Sequence, residues 1–143
     1  MIAELRALRD KITAAGVPAH IGQVPGSTDS KVPTPPFASL RAPGFDLHEV
    51  ETLVEDGSVA SFDVRVGVTE TTDSNVYVSL AAVRAAVAPG LGPVPLDVPG
   101  RHAAVQWVRS EFVTTDRDVT YGATNRHPGF GVDTYRITSQ PTT

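Results

Sequence analysis

The chain has no cysteine. That excludes a disulfide framework, a thiolate metal site and a thiol nucleophile. Lysine is nearly absent: Lys11 and Lys31 stand alone, so arginine carries the positive charge. No stretch approaches the roughly 20 apolar residues needed to cross a bilayer. No run of like charge is long enough to form an interaction tail. The formal net charge of −4 argues against a general nucleic-acid binder, which is usually clearly basic. The opening Met1-Ile2-Ala3-Glu4-Leu5-Arg6 is broken by charge and has no apolar h-region. No secretory signal is expected, and the chain reads as a soluble protein made in a cytoplasm.

At 143 residues, 41% of them hydrophobic, the chain has the size and apolar content of one domain spanning 1–143. Its most legible stretch begins at Val59. Phe62, Val64, Val66 and Val68 alternate with Asp63, Arg65, Gly67 and Thr69, which predicts a half-buried strand over 59–68. A polar break follows at Thr69–Asn75. Then Val76, Leu80, Val83 and Val87 recur at helical spacing, predicting a helix over 74–88. Asp73 or Ser74 suits its N-cap, and Pro89 with Gly90 stops it.

Upstream, Ile2, Leu5, Leu8 and Ile12 make a helical stripe over 2–15, with Glu4, Arg6, Arg9, Asp10 and Lys11 facing water. Gly16 is suited to end that helix. Val17, Ala19 and Ile21 alternate around Pro18, as in an edge strand. Residues 22–36 read as a long Pro/Gly loop, and Phe37–Arg41 as a strand. Residues 45–57 fit either a short helix or an irregular acidic strand, with extended or loop structure preferred. Residues 90–100 form a second Pro/Gly-rich connection.

Residues 101–115 return to strand. Val105, Trp107, Arg109 and Glu111 fall on one face, and Gln106, Val108, Ser110 and Phe112 on the other. Neither face is cleanly apolar, as expected of a strand buried partly by another chain. Thr114–Gly131 is a long polar excursion. Val132–Thr138 is the last strand, pairing with 103–113 as a hairpin, and Ser139–Thr143 is a tail. The class is α+β: a small mixed sheet of four to five strands with two helices on one face. If the strands 59–68 and 103–113 are parallel neighbours, the crossover through the helix is right-handed.

Chemistry is hard to find. His20, His48, His102 and His127 include no pair at zinc-ligand spacing. Asp116 and Asp118 form an acid-x-acid pair, but Arg117 lies between them, and a solvated loop is the simpler account. Gly90-Leu91-Gly92 lacks the third glycine and the context of a dinucleotide site. No phosphate-binding loop or Gly-x-Ser-x-Gly elbow is present. A triad of His127, Asp133 and Ser110 has no positive support. Trp107, Phe112, Tyr121 and Tyr135 lack a basic groove beside them, so core packing or interface anchoring is the expected use. No cofactor, metal or catalytic residue is expected. Two Pro/Gly loops, a polar excursion and a sheet with mixed faces describe a subunit whose edges are finished by neighbours.

The order of elements resembles the tail terminator proteins of long-tailed, siphovirus-type bacteriophages. The matching elements are an amphipathic helix (Ile2–Ala15), an extended segment with a Pro-rich loop (Val17–Pro36) and a strand (Phe37–Arg41). A long strand then leads through a polar turn to a second helix (Ser58–Val68, Thr69–Asn75, Val76–Ala88), before a terminal hairpin (Ala103–Thr114, Val132–Ser139). The runs Phe62–Val68, Thr72–Asn75 and Ala81–Val87, in lysine-poor sequence, look especially like the actinobacterial-phage versions. The likeness is one of pattern, since that family has no invariant catalytic motif.

The resemblance implies a non-enzymatic virion protein in the phage tail and neck. It would form a homohexameric ring that caps the tail tube and joins it to neck and head-closure proteins during tail assembly. DNA would pass through the lumen without specific binding, and no membrane is involved. Candidate interface positions are Pro25, Asp29, Lys31 and Pro33 in the first loop, and Asp116, Arg117, Asp118, Tyr121, Asn125, Arg126 and His127 in the excursion. A mildly acidic lumen would repel DNA, and Asp116 and Asp118 are candidates to line it. The alternatives are a neck or head-closure connector subunit, and a small α+β ligand-binding domain with a pocket between sheet and helices.

Overall fold

A computed structural model describes residues 2–22, 31–32, 34–42, 60–121 and 126–142. Two helices are present among them: α1 (Ile2–Ala14) and α2 (Asp73–Val87). The strands are β1 (Ala19–Ile21), β2 (Lys31–Val32), β3 (Phe37–Arg41), β4 (Ala60–Glu70), β5 (Val94–Val98), β6 (Arg101–Ser110), β7 (Thr114–Thr115), β8 (Thr120–Tyr121) and β9 (Gly129–Pro141). The ambiguous stretch 45–57, together with Pro25, Asp29, Pro33 and Asn125, lies outside the described residues.

The main sheet has seven strands, more than the four to five expected. Its order is β1-β3-β4-β9-β6-β5, with the short β7 also paired to β9. Only β1 and β3 pair in parallel; the other ladders are antiparallel. A separate two-stranded parallel ladder joins β2 to β8. The expected hairpin partnership of β6 and the last strand is present. However, β4 and β6 are not neighbours, because β9 lies between them and is antiparallel to both. β9 is also longer at both ends than expected, so Ser139 to Pro141 belong to the sheet and not to a tail.

The alternation read in β4 holds, with Val64, Val66 and Val68 fully buried. They face β9 residues Tyr135, Asp133 and Gly131 across the ladder. Odd-numbered β9 residues between 131 and 139 point toward both helices. A Cβ on Gly131 would meet Val76 and Leu80 of α2. Asp133 bonds Arg84 of α2, and Ser139 bonds Glu4 of α1. Both helices therefore pack on one face, as expected. Leu5, Leu8 and Ile12 of α1 join Val76, Leu80, Val83 and Val87 of α2 in one core with the sheet. Full burial of each such aliphatic side chain contributes about 1.5–3 kcal/mol.

Three local readings need correction. The N-cap of α2 is Thr72, whose hydroxyl accepts from the Asn75 N–H at 3.2 Å; Asp73 is already the first helical residue. Residues 94–98 are not loop but the edge strand β5. Its prolines obscured it in the sequence, yet an edge tolerates Pro95, which needs no outward N–H partner. Pro99 and Gly100 make the turn into β6, and Gly100 takes a φ of +73° that glycine adopts without strain.

The third correction concerns β6. Its register slips by one residue between Trp107 and Arg109, opposite Tyr135 and Thr134. Val108 is the extra residue of a bulge. Beyond it the faces exchange: Ser110 joins Val105 and Trp107 on the helix side, while Arg109 joins Gln106 on the outer side. The mixed faces expected from strict alternation come from this phase change, and burial by a second chain is not needed to explain them.

Candidate functional site

Two clusters of polar groups sit inside the fold. Glu4, expected to face water, is only 1% exposed. Its carboxylate pairs with Arg101 Nε at 3.0 Å and accepts from the Ser139 hydroxyl at 2.8 Å. Arg101 also donates to the Ser139 carbonyl. Burial pushes the Glu4 carboxyl up, but hydrogen bonds, Ser139's among them, and nearby positive charge outweigh it and leave it below its ordinary value. The cluster ties α1 to β6 and β9.

The second cluster joins α2 to β6 and β9. Asp133 is fully buried. Arg84 reaches it with Nη2 at 2.9 Å and Nε at 3.3 Å, and the Ser110 hydroxyl also donates to it. Arg84 Nη2 also donates to Ser110 Oγ at 2.9 Å, and its guanidinium lies 4.4 Å from the centre of the Trp107 ring. Burial and the neighbouring Asp133 carboxylate push the Tyr135 phenol above its ordinary value. Ser110 and Asp133 thus come together as two members of the unsupported triad. His127 does not join them; its Nδ1 lies 2.9 Å from the Val119 carbonyl oxygen.

Asp116 N–H donates to the Pro128 carbonyl, and Asp116 Oδ1 accepts from the Asp118 N–H at 3.1 Å, forming an Asx turn. Asp118, Arg117, Arg126 and His127 are exposed, and Asp116 is half-buried. Tyr121 is 7% exposed and lies in β8, opposite Val32, so its ring is withdrawn from the surface. Lys31 sits in β2 opposite Thr120. Thr115 donates to Asp73, which fastens the start of the excursion to the start of α2. Asp73 therefore lies beside the start of the Asp116-Arg117-Asp118 turn, whose two acids flank an exposed arginine.

Two surfaces stand out that single-residue motifs did not reveal. The first is the outward side of α2. Tyr77 is 62% and Val78 68% exposed, and Ala81, Ala82, Ala85 and Ala86 are exposed beside them. Between Asp73 and Arg84 the helix carries no charge. Its inward and outward sides are both apolar, which is the pattern of a helix covered all round. Such a stripe was visible in the Ala-rich sequence once the inward positions were assigned. Phe112, at 97%, and Leu91, at 87%, are also exposed.

The second is the outer side of the sheet. Arg41, Arg65, Thr134 and Arg109 lie opposite one another in a row across β3, β4, β9 and β6. Arg65 reaches over β9 to Glu111 at 2.7 Å, and Arg136 pairs with Asp63 at 2.8 Å. The first of these pairs spans the strand carrying Val132 and Thr134, which accounts for their burial on an outward face. A cavity of about 290 Å³ adjoins the row, lined by Ser39, Arg41, Arg65, Gly67, Phe130 and Val132. The Phe130 ring lies against Gly67 so closely that a Cβ there would meet it at 2.9 Å.

No group of three or more histidine, aspartate or glutamate side chains placed to hold a metal occurs among the described residues. No described helix is long and apolar enough to cross a membrane. No protein-family model matches the chain, and no curated protein matches it.

Proposed function

We propose that the chain is a tail terminator subunit, a structural virion protein whose hexameric ring caps a siphovirus-type tail tube and joins it to neck proteins. The observation that carries this reading is the outward side of α2. Tyr77, Val78 and four alanines form an uncharged stripe along a 15-residue helix. A contiguous exposed apolar patch marks a surface that another protein covers. The pattern resemblance supplies the kind of assembly. In this reading the subunit works through geometry: the polar clusters around Glu4 and Asp133 hold both helices rigidly on the sheet, so that the outer surfaces meet neighbours at a fixed angle. Lumen contacts with DNA are transient and nonspecific.

Light scattering of the native protein over a dilution series, with negative-stain images of the same sample, tests the proposal. The expected result is a mass of about six chains, ring images, and binding to purified tail tubes. A mass of one chain at every concentration, with no binding to tubes, would overturn it.

A further inference from the structure

We propose that the hollow over Gly67, on the outer face of the sheet, binds a small monocarboxylate that carries a flat apolar body. The site is complete within one chain and does not depend on the ring reading.

The hollow sits where a side chain is missing. Gly67 lies inside β4, where a glycine packs nothing and weakens the strand. Its registers with β3 and β9 run unbroken, so no bulge calls for it. A glycine inside a regular strand marks a place where another group comes close to the backbone. Ser39 stands opposite it on β3 and Val132 on β9, and the edge of the Phe130 ring reaches over it. The cavity of about 290 Å³ is at the low end of the range for small-molecule sites. Phe130 and Val132 give it an apolar side, and Ser39, Arg41 and Arg65 a polar one.

The polar side offers unused donors. Arg41 and Arg65 are directly opposite in the β3–β4 ladder, where like charges repel. Arg41 is exposed and has no hydrogen bond or ion pair among the described residues. Glu111 takes only Nη2 of Arg65, so Nε and Nη1 have no partner among the described residues. The Ser39 hydroxyl has none there either. No described carboxylate lines the cavity. A guanidinium cannot accept a hydrogen bond, so the fitting ligand is an acceptor, and an oxyanion matches the fork of an arginine best.

Local charge selects among oxyanions. Glu111 offsets one of the two arginines, and the neighbouring Arg136–Asp63 pair is neutral. Asp97 also faces outward, but it lies in the row of His102 and Gln140, toward the far end of β9. One positive charge is left at the cavity, which suits a carboxylate better than a doubly charged phosphate. The Phe130 ring and Val132 then favour a planar apolar group on the acid.

Equilibrium dialysis of the native protein against benzoate, in whatever assembly it forms, is the test. One benzoate per chain is expected, with a Kd of about 1 mM, in the range open to so small a ligand. Benzamide keeps the shape without the charge and should bind about tenfold more weakly or worse. Arg41→Gln alters an exposed, unpaired side chain and should weaken benzoate by about tenfold or more. Arg109→Gln, on the same face but outside the lining, should change it less than about twofold. No saturable benzoate binding overturns the proposal. So does equal weakening by the two arginine variants, which would mean general attraction to a basic face. Benzamide binding as tightly as benzoate would remove the carboxylate from the recognition, and tighter binding of phenyl phosphate would overturn the choice of a monoanion.

Discussion

Arg84 and Asp133 are partners, yet removing one should cost far more than removing the other. Asp133 has no exposed surface, while the Arg84 side chain is 36% exposed. Arg84→Met keeps the length of the stem over Trp107 and so keeps water out. It strands a carboxylate in the core with only Ser110 and the distant Tyr135 hydroxyl, 3.5 Å away, to hold it. Breaking a buried ion pair in this way costs about 3–5 kcal/mol. Asp133→Asn keeps the shape and removes the charge. The guanidinium it leaves behind already touches water, so only the charge-assisted hydrogen bonds are lost, at about 1.5–3 kcal/mol before discounting for that exposure.

Equilibrium urea unfolding at neutral pH measures both variants. With a slope of about 2 kcal/mol/M, Arg84→Met should lower the midpoint by roughly 1.5–2.5 M and Asp133→Asn by no more than about 1 M. If Asp133→Asn proves as costly as Arg84→Met, the argument from unequal burial is wrong, and the cluster draws its stability from hydrogen-bond geometry instead.

Other consequences follow from close contacts and caps. Gly131→Ala places a Cβ 2.7 Å from Val76 Cγ1 and 3.1 Å from Leu80 Cδ1, so thermal unfolding should register an overpacking cost of about 1–3 kcal/mol. Thr72→Ala removes the N-cap of α2 and should cost about 1 kcal/mol by the same assay. Glu4 has a folded-state pKa depressed below its ordinary value of 4.5, so its contribution is present above that value and is lost as pH falls through the folded value. The stability difference between wild type and Glu4→Gln, measured in urea at about pH 7 and about pH 3, should therefore shrink at the lower pH.

What the sequence disclosed depended on how far apart the cooperating residues lie. The alternation of β4 and the 3.6-residue period of α2 are local, and both were legible from spacing alone. Glu4 looked like a solvated helix residue because the groups that accept it in the core, Arg101 and Ser139, come from the other end of the chain. β5 was hidden by Pro95 and Pro99, since proline argues against a strand unless the strand is known to be an edge. The arginine row is invisible in one dimension: Arg41, Arg65 and Arg109 become neighbours only through the registers of three ladders.

The bulge in β6 had no sequence signal, yet both outstanding features of the sheet depend on it. With strict alternation from Trp107, Arg109 would point at α2 and Ser110 at solvent. The extra Val108 reverses this, sending Ser110 to Asp133 and Arg109 to the outer row. An unusual expectation follows. Deleting one residue from a central strand normally turns every following side chain to the wrong face. Deleting Val108 should instead yield a regular strand with Arg109 still outward and Ser110 still inward. The loss would be the half-buried valine and the local bend. Deleting Arg65 from β4, whose register with β9 runs unbroken from Ala60 to Glu70, offers no such escape. The Val108 deletion should retain a cooperative urea transition and the wild-type circular dichroism spectrum, while the Arg65 deletion should lose both. Equal disruption by the two deletions would mean that the bulge does more than correct the phase of β6.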